Sequence, residues 1–189
     1  LSEEDLADLA AELEGHPDNT APALLGGLVT AVMEGGRVYT VSVPVSENIR
    51  FAVFIPDFEL KTEVARAALP EQVSRADAVY NLSRAALMTA SLCKGDFSHL
   101  RVAVQDRLHQ PYRFPMIPGA DHVFYIAYGL GAHAVAISGA GPSILAVIDS
   151  ADAAFAEKAA FRLREAGLTG WQVQLFSCDS RGATVEFEG

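Results

Sequence analysis

The order of hydrophobic and polar residues predicts a chain of mixed helices and strands. Apolar residues recur at helical spacing over residues 3–13, which predicts an amphipathic helix there. Ser2 and Asp5, three residues apart, have the spacing of a capping box, in which a side chain and a backbone N–H satisfy each other at a helix start. Gly15 then breaks the pattern. The chain is therefore predicted to open with a short, well-capped helix.

Two apolar runs after this helix predict a hairpin. Residues 29–32 and 38–43 are rich in β-branched and aromatic residues, and Gly35 and Gly36 between them are a turn signal. The preceding small-residue stretch contains Pro22, which is expected only near a helix start. The polar segment at 44–48 then predicts a loop and a domain boundary.

The rest of the chain alternates between the two periods. Strands are predicted at 51–55, 134–138, 143–148, 171–177 and 183–187, and helices at 62–69, 74–90, 97–104, 120–130 and 151–166. Pro111, Pro115 and Pro118 predict an irregular crossing. Because strands and helices mix without a strict βαβ repeat, the pattern favours an α+β layered fold over a doubly wound parallel sheet.

Charge and length narrow the classes of function. The chain has 189 residues and a formal net charge of −10, which argues against nucleic-acid binding, because such binding needs lysines and arginines to neutralise phosphates. Acidic residues dominate before Arg37, the first basic residue, and most of them are interpreted as a solvated helix face. No apolar stretch reaches the roughly 20 residues of a membrane span. We therefore expect a soluble, cytoplasmic protein without a signal peptide, whose native beginning lies before Leu1.

Two cysteines are present, Cys93 and Cys178. They lie far apart and lack metal-ligand spacing, so we interpret them as reduced thiols in a cytosolic protein, although a disulfide stays open at this point.

The first candidate for chemistry is the segment 14–19, Glu-Gly-His-Pro-Asp-Asn. Titratable and amide groups are concentrated between a helix and a small-residue segment, and such loops carry function more often than cores do. Glu14 ends a helix, where its negative charge is unfavourable against the helix dipole unless a positive group such as a metal ion is near. A plain turn in which Asp18 or Asn19 caps the next helix explains the same residues. That helix start also attracts anions.

The second candidate is the segment 138–143, Ser-Gly-Ala-Gly-Pro-Ser, between two strong strands. Its small residues let the backbone approach a ligand or another segment closely, but a tight hairpin turn accounts for them equally well. It lacks the glycine spacing of a dinucleotide-binding fingerprint.

The third candidate is a pair of arginines, Arg66 and Arg113. Arginine recognises carboxylates and phosphates bidentately, although a lone arginine is more often a surface residue. The remaining histidines show neither metal-ligand nor catalytic-triad spacing and are interpreted as structural; they are His99, His109, His122 and His133.

Together these segments resemble one enzyme family, the homoserine kinases of the GHMP superfamily. Residues 14–19, followed by 21–29 (Ala-Pro-Ala-Leu-Leu-Gly-Gly-Leu-Val), resemble the family's substrate-loop signature. Residues 137–143 resemble the third GHMP motif. Residues 56–70 and the Gln-Pro-Tyr-Arg run at 110–113 match the same family in order and spacing. The resemblance covers nearly the whole chain.

The resemblance implies transfer of the γ-phosphoryl group of ATP to the side-chain hydroxyl of L-homoserine, a step towards threonine. It implies that Glu14 coordinates Mg²⁺ and that His16 and Asp18 contact homoserine. It further implies the remaining roles: Asn19 positions the attacking hydroxyl, Arg66 and Arg113 hold the carboxylate, Thr62 lends a hydroxyl, and Gly139 lines the pocket. Asp18 and Asn19 are then the residues nearest the chemistry. Since this family lacks a dedicated base, catalysis is expected from positioning and electrostatics.

One departure from the family pattern qualifies these expectations. A Gly-Leu-Gly-Ser-Ser-Ala-like loop, which wraps the ATP phosphates in the family, occurs nowhere in this sequence. The resemblance therefore predicts that residues 1–48 are the remainder of the family's amino-terminal domain, which is like domain 2 of ribosomal protein S5. Residues 49–189 are predicted to be the whole carboxy-terminal ferredoxin-like α+β domain. The isolated chain is expected to be inactive and to expose apolar surface and a sheet edge.

Two other functions fit the same features. Another GHMP kinase acting on a small alcohol shares the third motif, but the His-Pro-Asp-Asn run at 16–19 argues against it. A non-catalytic amino-acid-binding module fits the missing phosphate loop. No membrane partner is expected, and a homodimer is an expectation because related kinases often pair.

Overall fold

The computed structural model describes residues 2–185 and places them in two compact units. The first unit comprises residues 2–46 and 178–185, and the second comprises residues 47–177. The helices are α1 (Glu3–Glu14), α2 (Pro17–Leu25), α3 (Thr62–Ala67), α4 (Arg75–Lys94), α5 (Leu100–Ala103), α6 (Gln110–Arg113), α7 (Ala120–Gly129) and α8 (Phe155–Glu165). The strands are β1 (Leu28–Glu34), β2 (Arg37–Val43), β3 (Ile49–Pro56), β4 (Ala134–Ile137), β5 (Ile144–Asp149) and β6 (Trp171–Phe176).

The first unit packs α1 and α2 against the β1–β2 hairpin. The predicted capping box at the start of α1 is present, because the Ser2 hydroxyl accepts from the Asp5 N–H at 3.1 Å and the Asp5 carboxylate accepts from the Ser2 N–H at 2.9 Å. Asp8 ties the helix to the hairpin by accepting the Val38 N–H at 2.6 Å. The predicted hairpin is also confirmed, with antiparallel pairing from Leu28–Val43 at one end to Glu34–Arg37 at its turn.

The segment 178–185 joins the first unit through backbone hydrogen bonds. Gly27 donates its N–H to Asp179 O at 2.7 Å, and Ala183 donates to Leu24 O at 3.1 Å. Gly182 lies so close to the Leu24 carbonyl that any added Cβ would collide with it, and its φ of +69° also favours glycine. The predicted domain boundary between residues 48 and 49 stays a prediction. Residues 178–185 group with the first unit.

Apolar side chains lie on the surface of the first unit, as predicted. The exposed fractions are 82% for Leu13, 63% for Val32 and 66% for Val41, and the hairpin is a two-stranded sheet without a third strand among the described residues. The buried residues of α1 and α2 are only alanines, among them Ala11 and Ala21. The core of this unit is therefore small.

The second unit is built on a four-stranded antiparallel sheet in the order β4–β5–β3–β6. Its elements follow the chain as a strand, a helical segment, a hairpin of two strands, a helix and a last strand. This succession and strand order are those of the ferredoxin-like fold. The predicted α+β class and ferredoxin-like domain are confirmed.

The core of the second unit lies between the sheet and the helices α7 and α8. Phe54 on β3 is fully buried and meets Phe155 on α8 edge to face, with ring centroids 6.5 Å apart. Ile144 and Ile148 on β5 and Val123 on α7 are also buried in this cluster. Burial of such side chains contributes roughly 1.5–3 kcal/mol each, so this core fixes the sheet that carries the segment 138–143.

Several predicted boundaries were wrong. The segment around Pro22 is helical, because α2 runs from Pro17 to Leu25 with Pro22 inside it. Helix α8 begins at Phe155, four residues later than predicted, because the turn residues before it bond to Asp149 and Asp152. Residues 183–185 of the predicted last strand are not in a strand, and residues 186–187 lie outside the described residues.

Over residues 2–185, no helix combines the length and the apolar character needed to cross a membrane. Cys93 and Cys178 are both free thiols, which confirms their interpretation as unpaired.

Candidate functional site

The first group of predicted site residues lies where α1 gives way to α2. Gly15 ends α1 in the left-handed conformation, with φ of +89°, and His16 is the N-cap of α2. Proline suits the first position of a helix, so Pro17 begins α2 directly. The expectation that Asp18 or Asn19 caps this helix is therefore wrong, since both lie inside its first turn.

This arrangement brings three of the predicted side chains together. The His16 ring faces the carboxylate of Asp18 through Nδ1, and its Nε2 lies 4.0 Å from a Glu14 carboxylate oxygen. The side chains of Glu14 and Asp18 are 52% and 75% exposed, whereas that of His16 is half-buried, with 27% of its surface exposed. The helix dipole favours the Asp18 charge at the start of α2 and disfavours the Glu14 charge at the end of α1.

The chemistry of Glu14 suits a magnesium ion that is bound mainly by other ligands. No group of three or more histidine, cysteine, aspartate or glutamate side chains that could enclose a metal occurs within residues 2–185. Magnesium in phosphoryl-transfer sites is held by one or two carboxylates together with water and substrate phosphates, so a single exposed glutamate fits that role. A site made only of protein ligands does not fit these residues.

The second group of predicted site residues surrounds Arg113, at the end of α6. Its side chain is buried, with the residue only 9% exposed. Nε donates to Ala65 O at 3.2 Å on α3, and Nη1 donates to Gly139 O at 3.0 Å in the β4–β5 turn. Among the described residues, no carboxylate oxygen lies within 4.0 Å of a guanidinium nitrogen of Arg113. Because a buried charge is costly unless it is paired, this cation is suited to an anionic ligand.

Helix α3 carries the other two predicted contacts of the second unit. Thr62 is its first residue and Arg66 lies in its last turn, and both are exposed. Arg66 is part of α3, and Arg113 is hydrogen-bonded to α3 through the carbonyl of Ala65, the residue before Arg66. Thr62 lines a cavity of about 380 Å³ together with Lys61, Pro142 and other residues near the β4–β5 turn.

Gly139 contributes backbone to this group. Its φ is +55°, and an added Cβ would meet no atom within 4 Å, so the requirement for glycine is conformational. The atom of Gly139 that contacts Arg113 is its carbonyl oxygen, which accepts from Nη1. The turn itself is fixed by Ser138, whose N–H donates to Ser143 O at 2.8 Å.

Sequence reasoning missed two residues beside Arg113, namely Asp106 and His109. The ring nitrogen Nδ1 of His109 lies 3.3 Å from Arg113 Nη1, and Nε2 lies 3.9 Å from an Asp106 carboxylate oxygen. The spacing was a usable signal, because residues three and four apart lie on one face of a helical turn.

Two larger cavities of the second unit, of about 540 and 600 Å³, lie around Arg101 and Tyr128. None of the predicted site residues lines either cavity. The chemistry of the predicted residues, rather than cavity size, therefore marks the candidate site.

Comparison with known proteins shows what the chain as a whole is similar to. Residues 88–165 match the family model described as GHMP kinases C terminal. The homoserine kinase of Clostridium beijerinckii is 47% identical over 185 residues, which cover 98% of this chain and 62% of that protein. The homoserine kinase of Caldicellulosiruptor saccharolyticus is 45% identical over 186 residues, which cover 98% of this chain and 60% of that protein.

A solved structure has a similar fold. The crystal structure of homoserine kinase from Cytophaga hutchinsonii superposes with a TM-score of 0.86 and 32% identity. The match covers 96% of this chain and 60% of that one. The chain thus spans about 60% of the length of the relatives it matches.

Proposed function

We propose that the complete gene product phosphorylates L-homoserine, because residues 88–165 match the family model described as GHMP kinases C terminal and the chain aligns with homoserine kinases along nearly its whole length. The reaction transfers the γ-phosphoryl group of ATP to the side-chain hydroxyl and gives O-phospho-L-homoserine, on the route to threonine. The observation that carries the proposal is Arg113, a buried cation without an acidic partner among the described residues. The carboxylate of an amino acid supplies the missing charge.

Recognition of the carboxylate is assigned to the second unit. The guanidinium group of Arg113 has five N–H donors, and two of them donate to the backbone carbonyls of Ala65 and Gly139. The substrate carboxylate binds to N–H groups that are not used by these two carbonyls. Arg66 adds a second cation from the exposed end of α3, and the Thr62 hydroxyl adds a neutral hydrogen bond. The Gly139 carbonyl orients Arg113 at the edge of the pocket. A charge-assisted fork of this kind fixes the orientation of the substrate as well as its affinity.

Positioning of the hydroxyl is assigned to the first turn of α2. His16 and Asp18 contact homoserine, and Asn19 accepts the hydrogen bond of the hydroxyl and orients its oxygen for attack. The new bond between this oxygen and the γ-phosphorus forms as the bond to the ADP oxygen breaks, and the hydroxyl proton is released to solvent. Phosphoryl transfer has a loose transition state, so orientation and electrostatic stabilisation supply most of the rate enhancement without a dedicated base.

The nucleotide enters this proposal as the magnesium complex of ATP. Glu14 holds the ion through one carboxylate, and the ion neutralises charge on the phosphates. We extend the proposal to a cytoplasmic enzyme, since ATP is made and kept within the cell, and to a homodimer, since related kinases often pair.

The direct test is an ADP-release assay on the complete gene product, with the 189-residue chain assayed beside it. We expect the complete product to release ADP with MgATP only when L-homoserine is present. The shorter chain lacks the Gly-Leu-Gly-Ser-Ser-Ala-like phosphate loop and is expected to give no release. ADP release from MgATP in the presence of mevalonate or galactose, but not in the presence of homoserine, would contradict the proposal.

Replacing Arg66 by alanine in the complete product is expected to raise the KM for homoserine about 10- to 100-fold. The loss of one charge-assisted contact, roughly 1.5–3 kcal/mol, accounts for this range. Steady-state kinetics measure it, with Arg75→Ala as a matched control at another exposed arginine, the first residue of α4. An unchanged KM in Arg66→Ala would remove Arg66 from the site.

A further inference from the structure

The orientation of Arg113 depends on a neighbour that the proposed function does not use. Nη1 of Arg113 lies 3.3 Å from Nδ1 of His109, four residues earlier in the chain. The other contacts of this guanidinium group are the backbone carbonyls of Ala65 and Gly139. His109 thus supplies a side-chain contact to this guanidinium group, beside the two backbone contacts.

The chemistry of the contact fixes the state of the histidine. An arginine side chain only donates hydrogen bonds, so Nδ1 of His109 must be the acceptor and must carry no proton. The ring is then neutral, with its proton on Nε2, the nitrogen that lies 3.9 Å from Asp106. Burial lowers the pKa of His109, the Asp106 charge raises it and the Arg113 charge lowers it, with a net shift downward. The neutral form is therefore the stable one at neutral pH.

Asp106 in turn holds the start of α6 in place. Its side chain is only 6% exposed and accepts the backbone N–H groups of Leu108, His109 and Gln110 at 3.1, 2.8 and 2.5 Å. The side-chain amide of Asn81 donates to it at 2.5 Å. Burial acts to raise the pKa of Asp106, but these hydrogen bonds outweigh it and lower the pKa, so the carboxylate stays ionised. The bond from the His109 N–H holds the backbone of His109, and the anion 3.9 Å from Nε2 favours the ring orientation that turns the protonated nitrogen towards it.

We propose that His109 is a positioning residue, which accepts a hydrogen bond from Arg113 and so holds the guanidinium in the orientation that binds the substrate carboxylate, with Asp106 fixing the ring. This inference rests on the proposed function. It assigns no contact between His109 and the substrate. It predicts instead that homoserine binding weakens when His109 loses its acceptor, either by substitution or by protonation.

The test compares two substitutions in the complete gene product. His109→Leu keeps a similar volume without an acceptor, whereas His109→Asn places an oxygen near the position of Nδ1 without a titratable group. We expect the leucine variant to raise the KM for homoserine about tenfold with little change in kcat, and the asparagine variant to stay within about threefold of wild type. His122→Leu, at an exposed histidine on α7, is the matched control and should match wild type.

The pH dependence supplies a readout that a merely structural role would not give. As the pH falls through the pKa of His109, which lies below the usual value of about 6.5, Nδ1 gains a proton and faces Arg113 as a second donor. The KM of the wild type should therefore rise at acidic pH relative to that of His109→Asn. Taking the ratio of the two profiles removes the pH dependence that both enzymes share.

The outcomes distinguish a failure of the inference about His109 from a failure of the proposed kinase function. A wild type that shows no homoserine-dependent ADP release overturns the proposed function, and the inference falls with it. An active wild type overturns the inference alone if His109→Leu keeps the wild-type KM, if both variants raise it equally, or if the pH ratio is flat. Nitrogen NMR shifts that show the proton of His109 on Nδ1 at neutral pH would overturn it as well.

Discussion

Replacing Arg113 by alanine in the complete gene product is expected to raise the KM for L-homoserine about 100- to 1000-fold, with the KM for MgATP nearly unchanged. Truncating one member of a buried charge pair costs roughly 2–5 kcal/mol, and each 1.4 kcal/mol is a factor of ten. The effect should exceed that at Arg66, because Arg113 is buried and Arg66 is exposed. Steady-state kinetics at saturating MgATP measure it.

A substrate without a carboxylate makes this prediction specific. 3-Aminopropan-1-ol is homoserine without that group, so the wild type should prefer homoserine strongly in kcat/KM. Arg113→Ala should lose most of that preference, because the variant no longer distinguishes the two compounds by charge. Arg113→Lys should fall between, since an ammonium group keeps the charge but loses the planar fork.

Controls separate binding from folding. Arg113→Ala leaves the Ala65 and Gly139 carbonyls without their donor, so thermal unfolding of each variant must accompany the kinetics. Arg101→Ala removes an exposed arginine that stacks on Tyr128 at 4.4 Å and should leave both KM values unchanged. A folded Arg113→Ala enzyme that keeps its preference for homoserine would refute carboxylate binding by this residue.

The local signals in the sequence predicted much of the secondary structure. Ser2 and Asp5 form the predicted capping box, and Gly15, which was predicted to break the first helical pattern, ends α1 in the left-handed conformation. These signals act over a few residues, so a linear reading contains what decides them. The ferredoxin-like order of the second unit followed from a resemblance to known kinases rather than from periodicity, which indicated only an α+β class.

The misses arose where two rules competed or where the partner was distant in sequence. Pro22 was expected only near a helix start, yet α2 begins five residues earlier, continues for three residues after Pro22, and Gly26 donates to Pro22 O at 2.9 Å. Residues 178–185 join the first unit through Leu24 and Gly27, and such long-range backbone pairing leaves no local pattern. No local feature of the sequence could therefore indicate that residues 178–185 group with the first unit.

The site shows the same contrast between residue type and surroundings. The sequence nominated Arg113 for its chemistry, but only the fold shows that it is buried between α3 and the β4–β5 turn. His109 was interpreted as structural because it had no metal-ligand spacing. Its contact with Arg113 depends on the Asp106 cap at the start of α6, which a list of motifs does not contain.

Replacing Glu14 by glutamine is expected to lower kcat about 100-fold while the fold persists. Glutamine keeps the shape and one oxygen ligand but removes the negative charge that holds Mg²⁺, so the apparent Mg²⁺ concentration for half-maximal activity should rise. Glu14 ends α1 and is 52% exposed, so the substitution removes no core packing and also relieves an unfavourable interaction with the helix dipole. Thermal stability should therefore be unchanged or slightly higher.

A loss of turnover without a loss of stability is what distinguishes a metal ligand from a solvated helix face. Titrating Mg²⁺ at fixed ATP tests it, and high Mg²⁺ should restore part of the activity of Glu14→Gln. Glu12→Gln, two residues earlier on the same exposed helix, is the matched control and should behave as wild type. If Glu14→Gln shows wild-type turnover and an unchanged Mg²⁺ titration, Glu14 is only one of the solvated acidic residues of α1. Another ligand would then have to hold the ion.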